Sequence, residues 1–428
     1  MGLLLVLFPQ DNNTIADKSK LNFSFPSSSS VSKRSLFSKT QSTISICALL
    51  LFTTLLLFTL STIPNPTLPT RRPPLLKPPK HHFALQRMGT LYRRGTKPMN
   101  DLLICHVSDQ TPLHDFRSFL RLLHRSSLTA STDVVFLFPS SSSSSKFAPV
   151  IIQENDAFSS LIHLHAQFNS TRWRQTPKSN FDPNRFLPKG NQFGEPLWGH
   201  KIRTNSSRPD SLSYGSVLSF DASELDPENS LAGFLDRTPL SLRRWACYPM
   251  LLGRVRRNFK HVMLVDVRTV LILKDPLGRV RNRTPDSVFL FSKADKHNKK
   301  SQRAVQPAVV MGGARGVRRL ANAVMVEIVR AATQHKKKKN SVSESVVLSQ
   351  LVGSEFMLKN WNVNLVASTE SIPEASSLGG HGHNSGSAST SFSDYVIIQR
   401  GLNDHDLNYV IKRQICSFVV DSSVYRDC

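Results

Sequence analysis

Asp266 closes an apolar run, HVMLVD, in a stretch that continues VRTVLILKDP. A carboxylate at the carboxyl end of a buried strand stands where open α/β sheets bind their ligands. There it can orient a hydroxyl, ligate a hard cation, or simply cap the turn that follows. Two residues on, Arg268 narrows the choice. A guanidinium cannot ligate a cation and repels one nearby, whereas its planar fork pairs with phosphate oxygens at any relevant pH. Mn²⁺ or Mg²⁺ is therefore disfavoured beside Asp266, and no cofactor follows with certainty. Arg254, Arg256 and Arg257 carry the same anion chemistry at a spacing that could line a cleft. Asp275, just before Pro276, reads as a turn residue. His381 and His383 could offer metal ligands, but they sit in the low-complexity stretch SSLGGHGHNSGSAST.

Other chemistries are missing from the chain. It has no P-loop, GxSxG, HExxH or EF-hand loop, no CxxC, and no Cys/His grouping with zinc spacing. Outside Cys47, the four cysteines Cys105, Cys247, Cys416 and Cys428 allow three pairings. Cys105 lies in an apolar strand, where a packed free thiol is the commoner outcome. The chain carries 55 Lys and Arg against 30 Asp and Glu, net +25. Residues 243–339 alone hold 24 basic and five acidic side chains, a net +19. Such a concentration implies a solvated face or an anionic partner: a nucleotide diphosphate, an acidic glycan or lipid head groups. Nucleic acid is disfavoured, because no recognition module or stacking-aromatic motif is visible.

The elements that must position Asp266 follow from hydropathy. LLICHV (102–107), an amphipathic stretch from Pro112 to Ser127, and DVVFLF (133–138) read as strand, helix, strand. The serine run 140–145 reads as a break, VII (150–152) as a strand, and 155–166 as a helix. Residues 168–213 read as a long loop, and VLSF (217–220) as a strand that returns to the sheet. Thr238-Pro239 opens a helix that bends or restarts at Pro249 and ends near Phe259. Strands then follow at 261–266, 288–291, 308–311, 363–367 and 395–398, with helices over 315–333 and near 343–352. Continuous apolar strands predict an α/β domain with a mostly parallel sheet covered on both faces.

The first hundred residues are of another kind. Residues 1–42 are too polar to bury a core and read as a disordered tail. Residues 43–63, TISICALLLFTTLLLFTLSTI, are 21 residues without a charge, enough at ~1.5 Å per residue to span a bilayer core about 30 Å thick. Residues 64–80 contain seven prolines, so 64–99 reads as a semi-rigid stem before a globular region at 100–428. Basic residues flank the apolar segment on both sides, which leaves its orientation undecided.

The block LRRWACYPMLLGRVRRNFKHVMLVDVRTVLILKDPL resembles the central motif of GT-A-fold glycosyltransferases, in which an apolar strand delivers Asp-x-Asp. QPAVVMGGARGVRRLANAVM is similar to the acceptor-side strand, turn and helix of those enzymes. From about residue 101 the chain looks like a plant family of Golgi-type, single-pass membrane proteins related to them. The resemblance implies a GT-A-like domain, a nucleotide-sugar donor and a glycan or glycoprotein acceptor. It gives Glu344 and Gln350 as candidates for acceptor contact. In those transferases both aspartates of the motif serve the metal. Here Asp266 fills the first position and Arg268 the third, so Arg268, with Arg254, Arg256 or Arg257, would replace the metal at the diphosphate. A non-catalytic Golgi protein that binds glycans or partner transferases is the alternative. The layout is that of type II Golgi enzymes, which would make the domain luminal and expose the sequons at Asn169, Asn205 and Asn282 to glycosylation.

Overall fold

In a computed structural model of the chain, the residues described are 48–56, 83–167, 181–187, 194–199, 212–233, 238, 240–292, 304–334, 342–353, 363–367, 395–401, 405–417 and 420–428. The chain divides into two units, Met1–Leu76 and Lys77–Cys428. In the first, residues 48–56 are helical, inside the apolar segment of the sequence. Among the described residues no helix is long and apolar enough to cross a membrane. The rest of 43–63, the tail 1–42 and residues 64–82 lie outside the described residues, as do Asn169, Asn205, His381 and His383.

The second unit runs β1 (Phe83–Leu85), β2 (Met88–Arg93), β3 (Asp101–His106), α1 (Leu113–Arg125), β4 (Thr132–Phe138), α2 (Ser141–Gln167), β5 (Val217–Asp221), α3 (Ala222–Leu225), α4 (Leu240–Arg254), β6 (His261–Asp266), β7 (Val270–Ile272), β8 (Val288–Ser292), β9 (Val305–Gly313), α5 (Ala314–Gln334), α6 (Glu344–Gly353), β10 (Val363–Ala367), β11 (Ile397–Gln399), α7 (His405–Ile415) and α8 (Asp421–Val424). Nine strands form one sheet in the order β1-β2-β5-β4-β3-β6-β9-β8-β10, while β7 and β11 pair separately.

The strands read at 102–107, 133–138 and 261–266 are neighbours in the sheet, and the centre β5-β4-β3-β6 is parallel. The sheet as a whole is mixed, not mostly parallel. β9 runs antiparallel to both β6 and β8, and the β1–β2 hairpin adds antiparallel pairs at the other edge. A strand buried on both faces is apolar throughout whichever way it runs, so hydropathy carries no direction. The two faces divide the alternate residues: Leu102, Ile104, Val262 and Leu264 pack with α4 and α5, whereas Leu103, Cys105, Met263 and Val265 pack with Phe116, Phe119 and Phe147 from α1 and α2.

Three local expectations need correction. Residues 83–93, assigned to the stem, form the β1–β2 hairpin and belong to the sheet. The serine run and VII are not a break and a strand but the start of the 27-residue helix α2. Ser140 receives the Ser143 N–H at its hydroxyl, and Phe147, Val150 and Ile151 are buried at helical spacing while Ile152 is exposed. Pro149 stands inside this helix, and Pro249 likewise inside α4, which does not restart there and ends at Arg254.

Candidate functional site

In the β3–β6 pair, Asp101 faces His261 at one end and His106 faces Asp266 at the other. Phe138 and Asp221 close the neighbouring strands on that same edge. Four parallel strands thus present their carboxyl ends together, and a cavity of about 330 Å³ opens there, lined by His106, Phe138, Asp226, Arg243, Arg244 and Cys247 among others.

Arg244 organises this edge. It projects from the first turns of α4, is 5% exposed, and grips Glu344 at the start of α6 through Nε (3.0 Å) and Nη2 (2.7 and 2.8 Å). Trp245 Nε1 donates to the same carboxylate. Nη1 of Arg244 lies 3.4 Å from Asp266 Oδ2. Burial opposes the charge on Arg244, but Glu344, Tyr248 and Asp266 outweigh it and hold the guanidinium well above its usual range. Burial pushes Glu344 upward, and Arg244 pulls it back. We read the pair as ionised, because the bidentate geometry with a third donor from Trp245 suits a carboxylate.

Asp266 is therefore engaged twice. Its Oδ1 accepts the Arg268 backbone N–H at 3.1 Å, capping the turn, while Oδ2 faces Arg244. The exposed Arg268 side chain donates to Gln110 Oε1 at 2.7 Å. These residues do not fit a divalent cation: the carboxylate already faces one guanidinium, and a second follows it in the chain. Among the described residues no group of three or more His, Cys, Asp or Glu could hold a metal.

The remaining groups around the cavity are unreactive acid–base partners at neutral pH. Burial, reinforced by Arg244, lowers the His106 imidazole to about 3, so it stays neutral, and its Nδ1 has no hydrogen-bond partner among the described residues. Burial pushes the Cys247 thiol up to about 12. Asp226 caps the loop after α3 through Ser230 and Leu231, and these bonds outweigh burial and hold its carboxyl low. Arg243 is half-buried and spends its Nε on Thr238 O (3.3 Å), and among the described residues its terminal nitrogens have no partner.

The sequence-predicted residues thus separate. Asp266 and Arg268 share the carboxyl edge, but Arg256 and Arg257 do not join them. They line a second concavity around Asp101, Lys260 and His261 at the amino ends of the strands, roughly 16 Å away along β6 at ~3.3 Å per residue. Exposed Arg254 donates to the Leu225 carbonyl at 3.1 Å. Arg256 and Arg257, expected to act together with Arg268, therefore stand apart from it. Asp275 is the turn residue expected: Oδ1 accepts from Leu277 N, and Oδ2 pairs with Arg281. Glu344 is half-buried and taken up by Arg244 and Trp245, so it is not available to an acceptor, whereas Gln350 and Asn282 are exposed. His106, Arg243 and Arg244 were missed. The available signal was Arg244 itself, an arginine set directly beside Trp245 on the inward stripe of an apolar helix.

The fold and the edge invite comparison with known proteins. Residues 82–371 match the family model described as Domain of unknown function (DUF7780). No curated protein sequence matches the chain. Among solved structures, the galactosyltransferase LgtC, in complex with donor and acceptor sugar analogues, is similar over 74% of this chain and 96% of its own, with 10% identity and a TM-score of 0.35. That degree of likeness carries no argument about a reaction. The family match spans more than half of the chain, which therefore belongs to the DUF7780 family.

Proposed function

We propose that the protein is a glycosyltransferase-like member of the Golgi membrane that receives the diphosphate of a nucleotide sugar at the carboxyl edge of β3–β6. The observation that carries the reading is the pair Arg243–Arg244 on the cavity where parallel strands end, with Arg244 facing Asp266. Arg244 is held rigidly by Glu344 and supplies a permanent positive field. Arg243, whose terminal nitrogens have no partner among the described residues, supplies the donors for phosphate oxygens. Asp266 holds Arg244 and the turn in place. The resemblance of residues 242–277 to GT-A transferases points the same way, and so does their order along the chain.

Calorimetry on the full chain with UDP and GDP in EDTA tests this. Binding is expected without added metal, and Arg243→Ala should weaken it by ~1.5–3 kcal/mol, the range for a charge-assisted hydrogen bond. Binding that is undetectable, or that demands Mn²⁺ and ignores Arg243→Ala, refutes the reading.

A second reading has its own support. No carboxylate at this edge is unengaged among the described residues, since Asp266, Asp226 and Glu344 all have partners. A protein that binds the nucleotide sugar or its glycan without transfer satisfies that geometry. Radiolabelled donor incubated with an acceptor panel separates the two: transfer or hydrolysis favours the enzyme, and binding without turnover favours the binder.

For topology we propose a type II arrangement, with residues 43–63 as the anchor and 64–428 in the lumen. The Cys416–Cys428 disulfide supports an oxidising compartment, and exposed Asn282 is available for a glycan. Protease added to sealed microsomes should remove only the tail, and digestion of the domain from outside overturns the arrangement.

A further inference from the structure

A concavity of about 860 Å³ opens at the amino ends of β3 and β6, across the sheet from the Asp266 edge. Its floor is internally neutralised. Asp101 lies 2.8 Å from His261 Nδ1 and accepts from Arg281 Nε at 2.8 Å, while Arg281 also pairs with Asp275 at 2.6 Å. Above that floor stand Arg256, Arg257, Lys260, Arg283 and Arg318. Among the described residues none of these five side chains has a hydrogen-bond or ion-pair partner. They come from three places in the chain: the turn after α4, the loop before β8, and the first turns of α5.

Convergence is the informative feature. A solvated basic face spreads its charges, because repulsion at close range is unfavourable. Here charges from separate elements are folded into one depression. Arg318 is half-buried, and burial together with Arg256, Arg315 and Arg319 lowers its guanidinium below the usual range. The nearby Asp286 is already occupied by Arg315 (3.2 Å) and Arg319 (2.8 Å). The 21-residue helix α5 also begins at the wall, adding the positive end of its dipole.

We propose that this basin is a second binding site, for a compact ligand carrying clustered phosphate groups. One phosphate brings about two charges near neutral pH and leaves most of the five cations unbalanced, so the ligand carries several phosphates within the width of the depression. Guanidinium forks match phosphate oxygens bidentately, and four of the five groups are arginine. A free polyphosphorylated polyol and a phosphorylated lipid head group share this chemistry. The site is independent of the Arg243 cleft and does not rest on the reading given to it.

Calorimetry on the full chain tests it with four probes: inositol hexakisphosphate, water-soluble short-chain phosphatidylinositol bisphosphate, orthophosphate and a heparin oligosaccharide. One of the first two should bind at least roughly tenfold tighter than orthophosphate, and the tighter of them identifies the source. The double reversal Arg256→Glu/Arg283→Glu should weaken that binding by roughly 30-fold or more, because it removes two charge-assisted hydrogen-bonding groups. Lys260→Ala, a milder change at an exposed side chain, should weaken it by a few-fold, about that of one exposed charge pair, and keeps the test valid if the reversal misfolds. UDP binding at the other edge should be unchanged in both variants. Affinity no better than for orthophosphate, indifference to the variants, or tighter binding of the heparin oligosaccharide overturns the proposal.

Discussion

His106 illustrates how a single buried side chain ties the candidate cleft to solution conditions. It ends β3 opposite Asp266, and burial with the neighbouring Arg244 lowers its pKa from 6.5 to about 3. Its folded pKa lies below its unfolded one, so the stability it contributes is present above pH 6.5 and is lost as the pH falls towards 3. Between pH 7.5 and 5 the unfolded chain takes up a proton at this residue and the folded chain does not, a loss of about 2 kcal/mol. His124 and His165, both lowered by burial, act in the same direction, and Asp133, raised to about 6 by burial, acts in the opposite one. These three are common to wild type and variant. Urea unfolding at the two pH values should therefore show His106→Asn losing about 2 kcal/mol less than wild type on acidification; an equal loss would mean that His106 is not buried as a neutral ring.

At the scale of elements, the β1–β2 hairpin shows where local sequence falls silent. Leu85 pairs with Met88 across a two-residue turn, and Gln86 and Arg87 have φ of 48° and 66°. Tight hairpin turns with both φ positive favour Asn-Gly, and Gln-Arg gives no such signal, so these residues read as stem. The hairpin's position is fixed instead by the sheet: Gly89, at φ 68°, has the Phe220 ring 2.5 Å from where a Cβ would stand, and its N–H donates to Glu224 at 3.2 Å. Replacing Gln86-Arg87 with Asn-Gly should relieve the turn and raise thermal stability by about 1 kcal/mol. An unchanged or lower melting temperature would argue against this turn geometry. The helix α2 shows the reverse case. Six consecutive serines read as a break, yet Ser140 caps the helix and the Phe138–Phe147 stack, with ring centroids 5.6 Å apart, anchors its first turns to β4.

For the molecule as a whole, the C-terminal segment closes the face covered by α1 and α2. Asp421 is fully buried and pairs with Arg125, itself 5% exposed, and Arg121 bridges Glu154 (2.8 Å) and Asp427 (2.7 Å). The Cys416–Cys428 disulfide ties α7 to the chain end around α8, while Cys105 and Cys247 are free and buried. Removing one partner of a buried pair leaves an uncompensated charge, so Asp421→Ala should cost about 3–5 kcal/mol in equilibrium unfolding, and a loss under ~1 kcal/mol would show that the segment is not docked on Arg125. By itself, the sequence determined that LLICHV, DVVFLF and HVMLVD are buried strands and that Asp266 ends one of them, because continuous apolar runs report burial on both faces. It also placed the positive charge, +19 between residues 243 and 339. Tertiary structure alone decided that β9 runs antiparallel, that Arg244 and not Arg256 or Arg257 meets Asp266, and that Arg256, Arg257, Arg283 and Arg318 gather at the opposite edge. The physical reason is that hydropathy is blind to strand direction, and residues a few positions apart are carried to opposite ends of the sheet by the helix α4 and the strand β6.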